Sequence, residues 1–110
     1  MEIITLISGF KYGKPIKHPA IVIYRDEQQG LAIVLTITST KLSPNCIEIR
    51  KEDTELGKLT KEVSYCYVFP TILTEGDSRR RTIDTLKDYK VKEVKEYLLK
   101  LANLLLNFSQ

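Results

Sequence analysis

One histidine, two cysteines and no tryptophan occur in the 110 residues, and each scarcity removes a class of chemistry. His18 alone cannot form a His–His acid–base pair, nor supply the several imidazoles or thiolates of a zinc site. Cys46 and Cys66 stand far apart, outside any CxxC pair and without neighbouring histidines. There is no P-loop, dinucleotide fingerprint, HExxH, EF-hand loop or GxSxG elbow. No carboxylate cluster stands out, so neither a metal nor another cofactor is expected. No apolar run is long enough to cross a bilayer. The N-terminus lacks the charged and small-residue features of a signal peptide. These absences predict a cytoplasmic protein of one domain, not bound to membrane, with both cysteines as buried free thiols. A disulfide stays open for a hyperthermophilic source.

What is present centres on two apolar stretches, HPAIVIY (His18 to Tyr24) and GLAIVLTITST (Gly30 to Thr40). Both are rich in β-branched residues, and the polar linker between them ends in Gly30, so they predict an antiparallel hairpin. Ile3 to Ile7 predicts a preceding strand. Ser8 to Lys17 holds Gly9, Gly13 and Pro15 and predicts an exposed loop, either a mobile basic flap or an ordinary connection. Cys46 to Arg50 alternates, with Ile47 and Ile49 on one face. Lys51 to Lys61 predicts a charged loop with one helical turn.

Val63 to Phe69 predicts a strand whose Val63, Tyr65, Tyr67 and Phe69 line one face, packed in the core or stacked on bases. Pro70 ends that strand or marks an edge. Glu75 to Ser78 predicts a turn and Thr82 to Leu86 a short strand. Asp88 is suited to cap a final helix. Val91, Val94, Leu98, Leu101, Leu105 and Phe108 form its core stripe at helical spacing. Leu99, Ala102 and Leu106 add a second stripe, which predicts a second copy of the chain as partner. The order predicts an α+β fold: a small antiparallel barrel or strongly bent sheet closed by a C-terminal helix.

The net charge is only +3, but it is clustered. Lys11, Lys14, Lys17 and His18 precede the central hairpin, and Arg79, Arg80 and Arg81 form a second group. They are either a solvated surface or a polyanion site. The chemistry left by the absences is metal-free and uses hydroxyls, cations and one imidazole. RNA suits it, because its own 2′-OH can attack the adjacent phosphate. The protein then needs a proton acceptor and groups that hold the charged phosphorane. His18 is the candidate acid or base. Thr38 and Ser39 are candidate donors to a phosphoryl oxygen, although β-propensity alone also explains TITST.

IITLI, HPAIVIY, IVLTITST, CIEI, LTKEVSYCYVFPTILT and the final helix follow one another in an order that resembles the MazF/PemK/Kid toxins of toxin–antitoxin modules. HPAIVIY resembles that family's Arg-Pro-Ala-x-Val-Ile strand, and IVLTITST its strand ending in Ile-Thr-Ser. The likeness covers nearly the whole chain and rests on order and spacing. It implies an SH3-like barrel of the MazF/CcdB type, usually a homodimer. It implies a metal-independent endoribonuclease that cuts single-stranded RNA and is blocked by a cognate antitoxin. The family's catalytic Arg and Thr or Ser fall on His18 and Thr38. Histidine in place of arginine is a departure, because arginine is always cationic and forks onto phosphate. A second departure lies where the family reads Gln-Ile-Arg and this chain reads Pro70, Thr71 and Ile72. Lys11, Lys14, Lys17 and Arg79 to Arg81 would then hold the RNA backbone. The alternative is a catalytically inactive binding module for RNA or a protein. A CcdB-like gyrase poison is the weaker third reading, since the C-terminal residues do not resemble that protein's.

Overall fold

The computed structural model describes residues 1–41, 44–67, 70–74, 76 and 80–108, without the side chains of Ser8 and Phe108. Among these, β1 (Glu2–Lys11), β2 (Lys14–Asp26), β3 (Leu31–Thr38), β4 (Ile47–Arg50), β5 (Val63–Cys66), β6 (Thr71–Thr74) and β7 (Thr82–Thr85) precede one helix, α1 (Asp88–Phe108). A single 3-10 turn, Lys51–Asp53, follows β4. Neighbouring strands run β4-β5-β3-β2-β1-β7, with β6 paired to β3, and every pairing is antiparallel. The sheet curls into a half-barrel with α1 against it, as the α+β pattern predicts. No helix among the described residues is long and apolar enough to cross a membrane.

The central hairpin forms as expected. Ala20, Ile21 and Val22 pair with Thr36, Leu35 and Val34. At the turn Gly30 takes φ 62°, and the Asp26 carboxylate accepts the Gln28 and Gln29 N–H groups. β3 has buried residues on both its faces. Leu35 and Ile37 join the main core with Ile3, Ile21, Ile47, Ile49, Cys66 and Val94. Val34 joins a smaller cluster with Ile4, Ala20 and Val22.

The expected loop over Ser8 to Lys17 is instead a hairpin arm. Phe10 pairs with Pro15 and Lys11 with Lys14. Tyr12 and Gly13 take φ 52° and 75°, positive at both centres as in a type I′ turn, whose twist matches that of the strands. The register shift between Ile7 and Gly9 leaves Ser8 as the extra residue of a bulge, and Gly9 resumes the ladder opposite Ile16. Pro15 costs little, because β2 there has β1 as its one paired neighbour.

β5 also departs from expectation. It ends at Cys66, and Ser64 and Cys66 are the buried pair while Val63 and Tyr65 are half-buried. Register decides this: Cys66 pairs with both Ile37 and Ile47, and Ser64 with Ile49. The inward isoleucines therefore pull the even positions of β5 inward. Phe69, expected in that stripe, lies outside the described residues, as do Glu75, Asp77 and Ser78 of the expected turn. Both thiols are free, Cys66 buried and Cys46 half-buried; burial pushes the Cys66 thiol up to about 12.

The segment after β4 stitches onto β7. Thr54 bridges Leu86. Glu55 N–H donates to the Thr85 carbonyl and Lys87 N–H to the Asp53 carbonyl, both at 2.8 Å. The start of α1 is pinned beside it. Lys90 is 8% exposed and would be costly uncompensated. Its ammonium meets Glu93 at 2.7 Å, the Glu48 carbonyl at 3.1 Å and Asp53 at 3.5 Å. Lys87, rather than Asp88, occupies the capping position, since its carbonyl accepts the Lys90 and Val91 N–H groups. Asp88 stands in the first turn, where a negative charge still favours the helix dipole.

Val94 is fully buried in the main core, and Val91, Tyr97 and Leu98 pack against that core. Beyond Leu101 the helix outruns the sheet. Leu105, expected on the core stripe, is exposed like Leu99, Leu104 and Leu106.

Candidate functional site

The β2–β3 ladder has its last pair at Ala20 and Thr36, where β3 turns to pair with β5 through Ile37 and Thr38. The strands part here, and the mouth of the half-barrel opens. A loop, residues 57–62, lies over that mouth. Leu59, 3% exposed, plugs the core.

Two clefts share the wall made by Lys17, His18, Pro19, Leu59 and Thr60. The narrower, ≈ 160 Å³, also takes in Thr38, Ser39, Lys61 and Ser64. The wider, ≈ 240 Å³, takes in Thr5, Lys58 and Ile83. A larger hollow of ≈ 440 Å³ lies on α1 alone, among side chains of both charges. Among the described residues it has no second wall to hold a ligand.

The loop is held from below. Asp84, 2% exposed, accepts the Leu56 and Lys58 N–H groups at 2.9 Å and its neighbour Thr85 N–H at 2.8 Å. Burial pushes its carboxyl up. The backbone donors of Lys58, Leu56 and Thr85 and the Thr54 hydroxyl outweigh that and hold it below the ordinary carboxylate value. Gly57, at φ 63°, makes the turn between the two anchored amides.

The electrostatics of the clefts have one sign. No Asp or Glu lines either one among the described residues. Lys17, Lys58 and Lys61 have no ion-pair partner among the described residues. Five hydroxyls, those of Thr5, Thr38, Ser39, Thr60 and Ser64, stand with them. Thr38 Oγ1 accepts the Thr40 N–H at 3.3 Å, which leaves its own O–H able to donate to a bound oxygen. Cations and hydroxyl donors without carboxylates suit a phosphate-bearing ligand.

Comparison of the chain with family models, with curated proteins and with solved structures finds no match. The site's chemistry therefore has to be argued from its own residues.

The structure brings together His18, Thr38, Ser39 and Lys17. It leaves Lys11 and Lys14 at the tip of the hairpin arm, both exposed and outside the clefts. Lys11 Nζ lies 5.7 Å over the Tyr12 ring. Arg81 is exposed, and Arg80 is half-buried with its carbonyl accepting from Arg25; neither lines a cleft. Arg79 lies outside the described residues. Sequence reasoning missed Lys58, Thr60 and Lys61, which sat in a segment classed only as charged loop. The signal was the run GKLTK, where one leucine interrupts cations and a hydroxyl. Among the described residues no three His, Cys, Asp or Glu side chains converge to hold a metal.

Proposed function

We propose that the protein is an endoribonuclease of the MazF type, on an SH3-like barrel, that cuts single-stranded RNA at the mouth of the half-barrel without a metal. One observation carries the reading: His18, Thr38, Ser39 and Lys17 share a cleft that no described carboxylate lines. In the reaction His18 accepts the proton of the 2′-OH, the O2′–P bond forms, and the P–O5′ bond breaks. The leaving 5′-oxygen takes a proton from solvent. Thr38 and Ser39 donate to the phosphoryl oxygens, and Lys17, Lys58 and Lys61 offset the charge of the phosphorane. The product ends are a 2′,3′-cyclic phosphate and a 5′-OH. Incubation of purified protein with long RNA in EDTA, with the ends of every cut mapped, tests this. Cyclic phosphate ends support it, and intact RNA across diverse sequences overturns it.

The resemblance adds two partners to the proposal, a second copy of the chain and a cognate antitoxin. A second reading is a non-catalytic RNA-binding module. It is favoured by His18 being the one imidazole or carboxyl group among the described lining residues, so no second such group assists the leaving oxygen. Binding without cleavage in the same assay selects it.

A further inference from the structure

We infer that the wider cleft is a pocket for one unstacked nucleobase, next to the phosphate held in the narrower cleft. This rests on the proposed RNA site and names what that site reads. The clefts share the wall at Lys17, His18 and Thr60, so one covalent ligand reaches both. Both have Pro19 and Leu59. Beyond the shared wall the wider one adds Ile83, Lys58 and the Thr5 hydroxyl, where the narrower adds Ile37, Lys61 and the three hydroxyls of Thr38, Ser39 and Ser64, so the wider is the more apolar. Thr5 pairs with Pro19 across β1 and β2, which places both on one face.

Its ≈ 240 Å³ falls below the roughly 300–1,000 Å³ of sites for drug-sized ligands. It suits one flat ring system rather than a whole nucleotide. An apolar floor receives the ring face, hydroxyls meet its polar edge, and Lys17 and Lys58 meet the phosphates on either side. A base paired in a duplex cannot enter such a recess, so the pocket selects single strands.

The test compares a short single-stranded RNA with an abasic strand carrying the same number of phosphates, and with mononucleotides. Binding is measured to wild type and to Ile83→Trp and Thr5→Tyr, each of which fills the pocket from a different strand. Wild type binds the RNA more tightly than the abasic strand by roughly tenfold or more. Either folded variant brings that ratio near one while abasic binding holds. Equal binding of RNA and abasic strand by wild type overturns the pocket and leaves the phosphate site standing. Mononucleotide binding as tight as RNA binding overturns the single-strand assignment. Binding of neither strand overturns the RNA reading, and the pocket falls with it.

Discussion

Asp84 carries the backbone of Lys58: its Oδ2 accepts the Lys58 N–H at 2.9 Å, from β7 to the loop over the barrel mouth. Oδ1 accepts Leu56 N–H in the same way, so one buried carboxylate sets the path of the chain into Leu59, Thr60 and Lys61. The core and the candidate site are therefore one structure. Asp84→Asn keeps the shape but exchanges an anion for an amide, whose NH₂ cannot accept. It is expected to cost about 2 kcal/mol, the scale of a charged hydrogen bond lost in a buried place. Denaturant melts measure this. RNA affinity should fall in the same variant at temperatures where it is still folded.

Acid should unfold the protein. Asp84 is held below its ordinary value, as described. Asp53 is too: burial pushes it up, but the Tyr89 hydroxyl at 2.6 Å, the Arg50 N–H at 2.7 Å and the Lys90 charge outweigh that. The Tyr89 phenol is correspondingly raised, to about 12, by its bond to Asp53. A carboxyl whose folded pKa is depressed stabilises fully above its unfolded value and loses that contribution as pH falls through the folded one. Stability should therefore be level near neutrality and drop below about pH 4, the ordinary carboxylate range. Melting temperatures from pH 7 to pH 2 check it. In Asp84→Asn the drop should be shallower.

The lysines of the mouth should set the salt dependence of RNA binding. Replacing Lys17, Lys58 and Lys61 with Gln removes three cations that have no ion-pair partner among the described residues. The slope of log K against log salt should then fall by about 2, at roughly 0.7 per phosphate contact on a single strand. Arg81→Gln, outside the clefts, should change it by less than one such contact. An unchanged slope in the triple variant would remove the mouth from the binding surface.

Period-2 runs of β-branched residues made the central hairpin, β4 and β7 legible, and three- and four-residue spacing did the same for α1. The strand ends His18 and Thr38 came together because one hairpin register dictates both positions. Other features depended on partners distant in sequence. Tyr12 joins Gly13 in a two-residue turn, although a tyrosine is not a signal for positive φ. Which face of β5 turns inward followed from Ile37 and Ile47, not from its own aromatic residues. Lys58 to Lys61 became a wall only through Asp84, 23 or more positions along the chain. β6, four residues after a proline, is too short to show a period.

The far half of α1 should join a second copy. Leu99, Leu104, Leu105 and Leu106 are 59–63% exposed, and Leu99 with Leu106 repeats the stripe that predicts a partner. Burying each leucine more fully is worth up to roughly 1.5 kcal/mol. Light scattering should give twice the chain mass. Leu104→Glu with Leu105→Glu should give the monomer while leaving the Val94 packing intact. A monomer mass for wild type at every accessible concentration would sink the dimer.

The role of His18 is the most exposed to refutation. Pro19 restricts it to extended backbone, and β2 pairing sets it opposite Leu6, two residues outside the last β2–β3 pair, Ala20 with Thr36. It lines both clefts, with Thr38 and Ser39 across the narrower one. If His18 takes the 2′-OH proton, its neutral imidazole is the form that acts. His18→Ala should lose about a hundredfold or more in rate, the scale of a missing general base, with RNA affinity changed far less. Thr38→Val should also slow the reaction, because the phosphoryl oxygen loses a hydrogen-bond donor. His18→Arg separates the two possible roles: retained cleavage assigns the position to charge stabilisation, and lost cleavage assigns it to proton transfer. Full activity in His18→Ala would leave the histidine as one polar residue of the wall and move catalysis to another group.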